Sequence, residues 1–319
     1  MWEYLLFIPG LFFLYKGADW LVDGASSIAR KWNVPEMVVG LTIVSFGTSM
    51  PELTVNIISS INGNSDIALG NVFGSNIANV LLILGLSAII CPLPLKRNTI
   101  YSEIPFAILA SFLVGFLANA SFFDTKHEML LSRFDGGVLL FFFCLFMIYI
   151  FKISKQDKSI SDEKPEPMMT MKKSVIFILV GVTALFLGGR WTVNGAVRLA
   201  TDIGLSESFV GLTIVAIGTS LPELFTSVIA ARKKNIDIAV GNVIGSNIFN
   251  LLWILGVSAL ISPLPFSVVN NFDVYVMAFS VTLIIPALFL SKQYIVSRIS
   301  GILFVLVYFL YLWWLIVRG

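Results

Sequence analysis

Two glutamates lie in apolar segments, and each stands in the same short sequence phrase. Glu52 lies in GTSMPELT and Glu223 lies in GTSLPELF. A carboxylate at the centre of a hydrocarbon-spanning helix costs at least about 2.5 to 3.5 kcal/mol, so it persists only beside water or a ligand. No lysine or arginine lies within five residues of either glutamate. The spacing therefore predicts a buried site in which paired carboxylates hold a cation.

A proline stands directly before each glutamate, at Pro51 and Pro222. Proline has no N–H and its ring clashes with the carbonyl four residues earlier, so the carbonyls of Gly47 and Gly218 lose their usual partners. In both copies a serine stands three residues before the glutamate, which is the spacing of a capping box. We therefore predict that the helix breaks here and that a new half-helix begins. Carboxylates, hydroxyls and freed carbonyls together form a cage of hard oxygen ligands, which suits calcium or sodium and does not suit zinc or copper.

A second phrase also occurs twice, as GNVFGSNIAN at 70–79 and as GNVIGSNIFN at 241–250. In each copy a serine and an asparagine are spaced i, i+4 and therefore share one face of a helix. These residues are Ser75, Asn79, Ser246 and Asn250. Asn71 and Asn242 continue the face one turn earlier, and the glycines let a partner helix approach closely. The phrase predicts amides and hydroxyls beside the broken helices; the alternative is that they only join helices by hydrogen bonds.

The composition requires a membrane around these phrases. Of the 319 residues, 57% are apolar and 13% are charged, and the mean hydropathy is +0.90. A water-soluble protein reaches such values only with large exposed apolar patches. Segments near the roughly 20 residues that span hydrocarbon as a helix recur about ten times, in the first half at about 4–29, 35–60, 66–91, 99–119 and 134–152. The N-terminal residues have no basic region and no small-residue cleavage site, so we expect the first helix to be retained.

The two phrases belong to an internal duplication. Glu52 and Glu223 lie 171 residues apart, and the alignment at that offset runs without a gap from Trp20 to Pro94. Between residues 40–94 and 211–265, 34 of 55 aligned positions are identical. Five spans per half is an odd number, so the halves must lie in opposite orientations across the membrane. The sequence predicts an all-α integral membrane protein of ten transmembrane helices in two inverted five-helix repeats, with helices 2 and 7 broken at the ion site.

Basic residues occupy different loops in the two halves. Arg30–Lys31 and Lys96–Arg97 align with residues that are not basic, whereas the basic run Arg232–Lys234 aligns with the uncharged residues 61–63. In an inverted pair this exchange brings the basic clusters to one side, which is cytoplasmic by the positive-inside rule. Both termini then lie outside, and the predicted location is the cell (inner) membrane.

Three regions follow from this organisation. Residues 1–152 form the first inverted repeat, with its α-repeat at about 40–94, and residues 172–319 form the second, with its α-repeat at about 211–265. Residues 153–171 are a polar, cytoplasmic linker, rich in Lys, Asp, Glu, Ser and Pro, and we expect them to be a solvated connector. The linker lacks the spaced oxygen ligands of an EF-hand loop, so no calcium sensor is predicted there.

Together, GTSxPEL and GNVxGSN in two inverted copies resemble the α-repeats of the calcium/cation antiporter superfamily, and specifically prokaryotic members of its sodium/calcium exchanger branch. The resemblance covers most of the chain and is strongest over residues 40–94 and 211–265. It implies a secondary active transporter that exchanges sodium for calcium by alternating access. It also implies that the first and sixth spans form a sliding bundle that gates the site.

The resemblance further implies a set of shared ligands. Glu52 and Glu223 would hold calcium, with the backbone carbonyls of Thr48 and Thr219 completing its ring. Sodium would share the glutamates and use further carbonyls, hydroxyls and side chains, and the full metal-binding set also includes Ser45, Ala216, Ser49, Ser220, Ser75, Ser246, Asn79 and Asn250. Because both ions need the same carboxylates, they cannot occupy the site together.

Asn79 and Asn250 narrow the branch. Potassium-dependent relatives carry an aspartate at this position, whereas both residues are neutral here, which argues against potassium cotransport. At the first motif, members of the proton/calcium branch resemble the pattern GNxxE, whereas this sequence has GTSxPE in both copies. Proton/calcium antiport is therefore the alternative function, and a passive cation channel built on the same ligands is less favoured.

Other classes of function find little support in the sequence. No HExxH motif, pair of intramembrane aspartates or serine/histidine pair accompanies the glutamates, and the single histidine, His127, is predicted in a loop, so we do not expect an enzyme. We expect calcium, sodium and the lipid bilayer as partners, with no cofactor and no nucleic acid. No feature demands an oligomer, so a monomer is sufficient for transport.

Overall fold

The computed structural model describes residues 2–119, 129–156, 169–202, 216–289, 291 and 294–318. His127, most of the predicted linker and residues 211–215 of the second α-repeat lie outside these ranges.

Helices make up almost all of the described chain. In chain order they are α1 (Trp2–Trp32), α2 (Glu36–Thr48), α3 (Met50–Ile61), α4 (Ser65–Ile90), α5 (Thr99–Ala118), α6 (Arg133–Gln156), α7 (Met171–Asp202), α8 (Ala216–Thr219), α9 (Leu221–Arg232), α10 (Ile236–Ile261), α11 (Asn270–Phe289) and α12 (Arg298–Arg318). Short π-helical stretches lie within α2, α4, α5 and α10, at Gly40–Val44, Asn79–Leu84, Thr99–Glu103 and Phe249–Ile254.

The predicted all-α membrane architecture is confirmed. Among the described residues, eight helices are long and apolar enough to cross a membrane, and α2 with α3 forms a ninth candidate span, bent by 49°. Each helix predicted in the first half is present within four residues of its predicted bounds. The helix α6 continues to Gln156, past the predicted start of the linker. In the repeat, α8 corresponds to the end of α2, and α9 corresponds to α3. Residues 203–215, which precede α8, are not described.

The break predicted at the two prolines is present in both halves. Ser49 separates α2 from α3 with φ −83° and ψ 10°, and Ser220 separates α8 from α9 with φ −85° and ψ 5°. Pro51 and Pro222 fall in the first turn of the new helix, where a missing N–H loses no helical hydrogen bond. The predicted capping box is wrong, because neither serine side chain caps its own helix. Both hydroxyls bond to the opposite half of the protein instead.

The helices α1 and α7 are equivalent in the repeat and pack antiparallel. Small residues meet along the pair, joining Gly10 to Gly188, Gly17 to Gly181 and Gly24 to Ser174. A Cβ atom on Gly17 would lie 2.8 Å from the carbonyl oxygen of Gly181, and one on Gly181 would lie 2.8 Å from that of Gly17. Residue numbers rise along one helix as they fall along the other. The equivalent helices therefore run in opposite directions with their backbones in direct contact, the close approach that small residues permit in membranes.

The remaining helices exchange partners between the halves. The helix α4 packs on α12 through Gly85 and Gly301, and its counterpart α10 packs on α6 through Gly256 and Gly136. Two short antiparallel ribbons follow the same pattern, pairing β1 (Leu93–Pro94) with β4 (Ile295–Val296) and β2 (Leu130–Leu131) with β3 (Leu264–Pro265). The most deeply buried spans are α4 and α10, which form the centre of the protein. Each half is thus completed by elements of the other.

A cluster of ion pairs joins α1 to the basic loop after α9. The Lys233 Nζ lies 2.6 Å from Asp19 Oδ1 and 2.5 Å from Asp23 Oδ1. Partial burial by itself lowers the pKa of Lys233, but the hydrogen bonds and charges of the two aspartates outweigh it and raise the pKa above the usual 10.5. The positions equivalent to these three in the other half are Asn62, Arg190 and Asn194, so the cluster has no symmetric counterpart.

We predict that Lys233→Ala lowers the free energy of unfolding by about 1–3 kcal/mol, because Asp23 loses this cation and Asp19 keeps the more distant Lys16, 3.5 Å away. Since the folded-state pKa of Lys233 is raised, this stabilisation is present below the unfolded pKa and is lost as the pH rises through the folded value. Thermal unfolding in detergent near neutral pH measures the effect. The control is Arg232→Ala, which removes an exposed charge at the neighbouring position. Equal destabilisation by the two substitutions would contradict the prediction.

Candidate functional site

The two glutamates of the repeated phrase lie in the first turns of α3 and α9, immediately after the helix breaks. Their side chains are 0% and 1% exposed, for Glu52 and Glu223 respectively. A free helix N-terminus carries unpaired N–H groups and favours negative charge, so the break supplies part of what a buried carboxylate requires.

Each glutamate receives a hydrogen bond from the serine at the opposite break. The Ser49 Oγ donates to Glu223 Oε1 at 2.8 Å, and the Ser220 Oγ donates to Glu52 Oε1 at 3.3 Å. The Ser75 Oγ also lies within 3.4 Å of Glu52 Oε1. The carboxylates, which come from opposite halves, are therefore held in one compartment by reciprocal contacts between the halves.

Four buried oxygen atoms at and beside this compartment have no hydrogen-bond donor among the described residues. They are Glu52 Oε2, Glu223 Oε2, Asn79 Oδ1 and Asn250 Oδ1. A buried acceptor without a partner costs about 1–3 kcal/mol, and more when it is charged. Hard cations accept such oxygens as ligands, and the set contains no sulfur or imidazole group. The oxygen ligands that the site offers therefore fit calcium or sodium.

A second cluster consists of four asparagines at the crossing of α4 and α10. The Asn76 Nδ2 donates to the backbone oxygen of Asn247 at 3.3 Å, and Asn247 returns the same bond to Asn76 at 3.3 Å. The Asn79 Nδ2 donates to Asn247 Oδ1 at 2.9 Å, and the Asn250 Nδ2 donates to Asn76 Oδ1 at 3.0 Å. These bonds turn the Nδ2 groups of Asn79 and Asn250 toward the neighbouring amides and leave their Oδ1 atoms without a donor among the described residues. The network thus fixes which end of each amide is available to a ligand.

The threonines before the breaks bond to a third pair of asparagines. The Thr48 Oγ1 donates to Asn242 Oδ1 at 3.0 Å, and the Thr219 Oγ1 donates to Asn71 Oδ1 at 3.3 Å. Asn71 and Asn242 were not among the ligands expected from the sequence. Their signal was their presence at equivalent positions of both repeats, one turn before Ser75 and Ser246.

The expected ligands divide into two groups in the structure. Direct hydrogen bonds link Ser49, Ser220 and Ser75 to the glutamates, and Ser246 lies 3.0 Å from the Ser49 Oγ. Thr219 bonds to an asparagine, and Asn79 and Asn250 bond to the amide cluster. Thr48 belongs to both groups, because it bonds to Asn242 and also lies within hydrogen-bond reach of the Glu223 carboxylate. The Ser45 Oγ donates to Thr42 of its own helix at 3.2 Å, and Ala216 begins α8.

A separate small cavity of about 20 Å³ lies between α2, α5 and α6. It is lined by Glu103, whose Oε1 accepts a hydrogen bond from the Tyr149 hydroxyl at 2.7 Å, and by Lys96. A single carboxylate contributes to this lining, and no group of three or more His, Cys, Asp or Glu side chains forms a metal cluster within the described ranges. The site with paired carboxylates is therefore the one between α3 and α9.

Comparisons with known proteins cover nearly the whole chain. A family model described as sodium/calcium exchanger protein matches residues 2–152 and 173–317. The inner membrane protein YrbG of Escherichia coli is 38% identical over 266 residues, which are 81% of this chain and 79% of that protein. The sodium/calcium exchanger MaX1 of Methanosarcina acetivorans is 33% identical over 346 residues, covering 97% of each protein. A structure of the sodium-calcium exchanger NCX_Mj soaked with 10 mM Na+ and no Ca2+ has a TM-score of 0.81 and 32% identity, covering 97% of each chain.

Proposed function

The chain belongs to the sodium/calcium exchanger protein family, and we propose that it exchanges sodium for calcium across the membrane through the site between α3 and α9. The family consists of multi-pass membrane transporters rather than enzymes, and one relative is named an inner membrane protein. Sodium as the coupled ion, calcium as the cargo and the individual ligands of each are parts of the proposal.

The observation that carries the proposal is the reciprocal pair of buried glutamates. Each carboxylate has one oxygen bonded by a serine of the opposite half and one oxygen to which no described residue donates a hydrogen bond. Two negative charges in one buried compartment repel each other, and a cation between them removes both the repulsion and the cost of burial. Calcium neutralises the pair with one ion, whereas sodium requires two or more. Competition for the same oxygens therefore makes the two loadings mutually exclusive.

The proposed architecture is that of ten spans in two inverted five-helix repeats, with both termini outside and the linker in the cytoplasm. Support comes from the antiparallel packing of the equivalent helices α1 and α7. Each β ribbon joins loops that the ten-span topology places on one face: β1 and β4 on the cytoplasmic side, β2 and β3 on the other. The glycine contacts between α1 and α7 also hold the two helices in close contact, which a pair that moves as one bundle requires.

The test is radioactive calcium uptake into proteoliposomes loaded with sodium and diluted into sodium-free buffer. Parallel samples have equal sodium on both sides, potassium inside, or an acidic interior. Uptake that requires the outward sodium gradient supports the proposal. Uptake driven by the proton gradient would assign the protein to proton/calcium antiport, and uptake that equilibrates calcium without any counter-ion would indicate a passive channel.

We predict that acid inhibits transport by competition at the glutamates. When no cation is bound, the two carboxylates in one compartment repel each other, and binding a proton to one of them removes this repulsion. The calcium concentration for half-maximal uptake should rise by at least about threefold between about pH 8 and pH 5.5, whereas the maximal rate at saturating calcium should change less. Initial rates at a fixed sodium gradient measure both quantities. A half-saturation value that does not change over this range would contradict the prediction.

A further inference from the structure

We propose that Asn71 and Asn242 are positioning residues that orient the threonine hydroxyls of the opposite half and thereby set the affinity of the site for sodium relative to calcium. The inference rests on the proposed exchange function. It concerns two residues that touch neither carboxylate side chain through any described hydrogen bond and that act through Thr219 and Thr48.

Each asparagine bridges the two halves in the same way. The Nδ2 of Asn71 donates to the backbone oxygen of Glu52 at 3.4 Å, and its Oδ1 accepts the hydroxyl of Thr219 at 3.3 Å. The Nδ2 of Asn242 donates to the backbone oxygen of Glu223 at 3.3 Å, while its Oδ1 accepts the hydroxyl of Thr48 at 3.0 Å. One end of each amide thus holds the glutamate helix of its own half, and the other holds the break of the opposite half.

A further acceptor fixes the direction of each amide. Asn71 Nδ2 also donates to Asn56 Oδ1 at 2.6 Å, and Asn56 is itself held by its bond to the Ala68 carbonyl at 3.0 Å. Asn242 Nδ2 donates to Ser227 Oγ at 2.9 Å. An inverted Asn71 amide would set its oxygen against two acceptors. The Oδ1 of Asn71 therefore stays toward Thr219. For Asn242, the backbone oxygen of Glu223 gives the direction, because the Ser227 hydroxyl can either donate or accept.

The fixed amide determines what the threonine offers to an ion. A hydroxyl has one hydrogen and two lone pairs, so a hydroxyl that gives its hydrogen to an asparagine oxygen keeps its lone pairs for a cation. Without Asn242, the Thr48 hydroxyl still has two acceptors within reach, the Ser45 carbonyl at 3.3 Å and the Glu223 carboxylate. The hydrogen would then lie on one of these two oxygens, and both residues belong to the proposed sodium ligands. Loss of the asparagine thus turns the lone pairs of one proposed sodium ligand in a new direction and places its hydrogen on another proposed ligand.

Calcium is affected less by this device. In the proposed site calcium takes the glutamates and the backbone carbonyls of Thr48 and Thr219, whose positions do not depend on the direction of the hydroxyl hydrogen. A purely structural role for the asparagines would weaken both ions together. The ratio of the change in sodium affinity to the change in calcium affinity therefore distinguishes a positioning role from a purely structural one.

The experiment is a double-mutant cycle in which the repeat supplies its own control. The coupled pairs are Asn71→Ala with Thr219→Val and Asn242→Ala with Thr48→Val, and the uncoupled control is Asn71→Ala with Thr48→Val. For each variant, sodium and calcium half-saturation are measured by thermal stabilisation of the purified protein and by calcium uptake in proteoliposomes. If Asn71→Ala does not fold, Asn71→Ser repeats the cycle with a small polar group in the same volume.

We expect Asn71→Ala and Asn242→Ala each to raise the half-saturating sodium concentration by about 3- to 10-fold, which corresponds to the loss of one buried hydrogen bond. The half-saturating calcium concentration should change by less than about twofold. The coupled double variants should be no worse for sodium than their threonine single variants, whereas the effects in the control pair should multiply. Equal loss of both ions, or multiplying effects in the coupled pairs, would overturn the inference. If the unmodified protein shows no dependence on sodium, the proposed function fails instead, and the two failures are thereby distinguished.

Discussion

Replacing either buried glutamate with glutamine, in Glu52→Gln or Glu223→Gln, is expected to reduce sodium-dependent calcium uptake by more than about 100-fold. Removing one partner from a buried charged arrangement costs about 3–5 kcal/mol, which corresponds to roughly two to four orders of magnitude in affinity. Glutamine keeps the size of the side chain, but it leaves one negative charge to balance a divalent ion. It also places an amide donor where a ligand oxygen is needed.

The matched control for this substitution is Glu103→Gln. Glu103 is also almost fully buried, with 2% of its surface exposed, and its Oε2 has no described hydrogen-bond partner. It lies in α5 beside Tyr149, away from both helix breaks. The control therefore removes an equally buried carboxylate without touching the proposed ligands, and uptake should persist. Substantial uptake by either site variant, or equal loss in the control, would contradict a site based on this pair.

The second large effect is expected at the contact between α1 and α7. A leucine at Gly17 would place its Cβ 2.8 Å from the Gly181 carbonyl oxygen and 2.9 Å from the Leu185 nitrogen. These are backbone atoms, so the clash is relieved only if the helices move apart. Overpacking typically costs 1–3 kcal/mol even where side chains can adjust, and we expect Gly17→Leu to cost at least about that much. Transport should be lost as well, because the proposed gate requires α1 and α7 to stay together as one bundle.

Thermal unfolding in detergent and proteoliposome uptake test this expectation together. The control is Gly137→Leu on α6, where an added Cβ meets no atom within 4 Å and the position is exposed. An exposed substitution of this kind usually changes stability by less than about 0.5 kcal/mol. If Gly17→Leu unfolds at the same temperature as the control and still transports, the close packing of α1 and α7 does not exist in the membrane.

The helices and their breaks could be predicted from the sequence because their causes are local. A backbone in hydrocarbon must satisfy its own hydrogen bonds, so apolar segments of sufficient length form helices. The five helices predicted in the first half lie within four residues of their predicted bounds for this reason. Pro51 and Pro222 break a helix wherever they occur within one, since the missing N–H belongs to the residue itself. The internal duplication also predicted that Glu52 and Glu223 occupy equivalent positions in the two halves.

The partners of individual side chains could not be predicted in this way. The spacing of Ser49 and Glu52 suggested a local capping box, but the hydroxyl of Ser49 bonds to Glu223, 174 residues away. A serine hydroxyl satisfies either acceptor equally well, and the choice depends on which helix the fold brings nearest. The pairing of Lys233 with Asp19 and Asp23 was likewise not expected, because segments more than 200 residues apart supply the charges.

The sequence by itself determined the membrane class, the helical spans, the repeat, the two breaks and the oxygen-rich residue types of the proposed cation site. These depend on hydropathy, on proline and on periodicity, which act within a few residues. The tertiary structure decided that each glutamate is held by the opposite half and that Asn71 and Asn242 lie between the glutamates and the threonines. It also decided which oxygen atoms remain without donors. Those features depend on distances between elements far apart in the chain, and only the packing of one repeat against the other sets them.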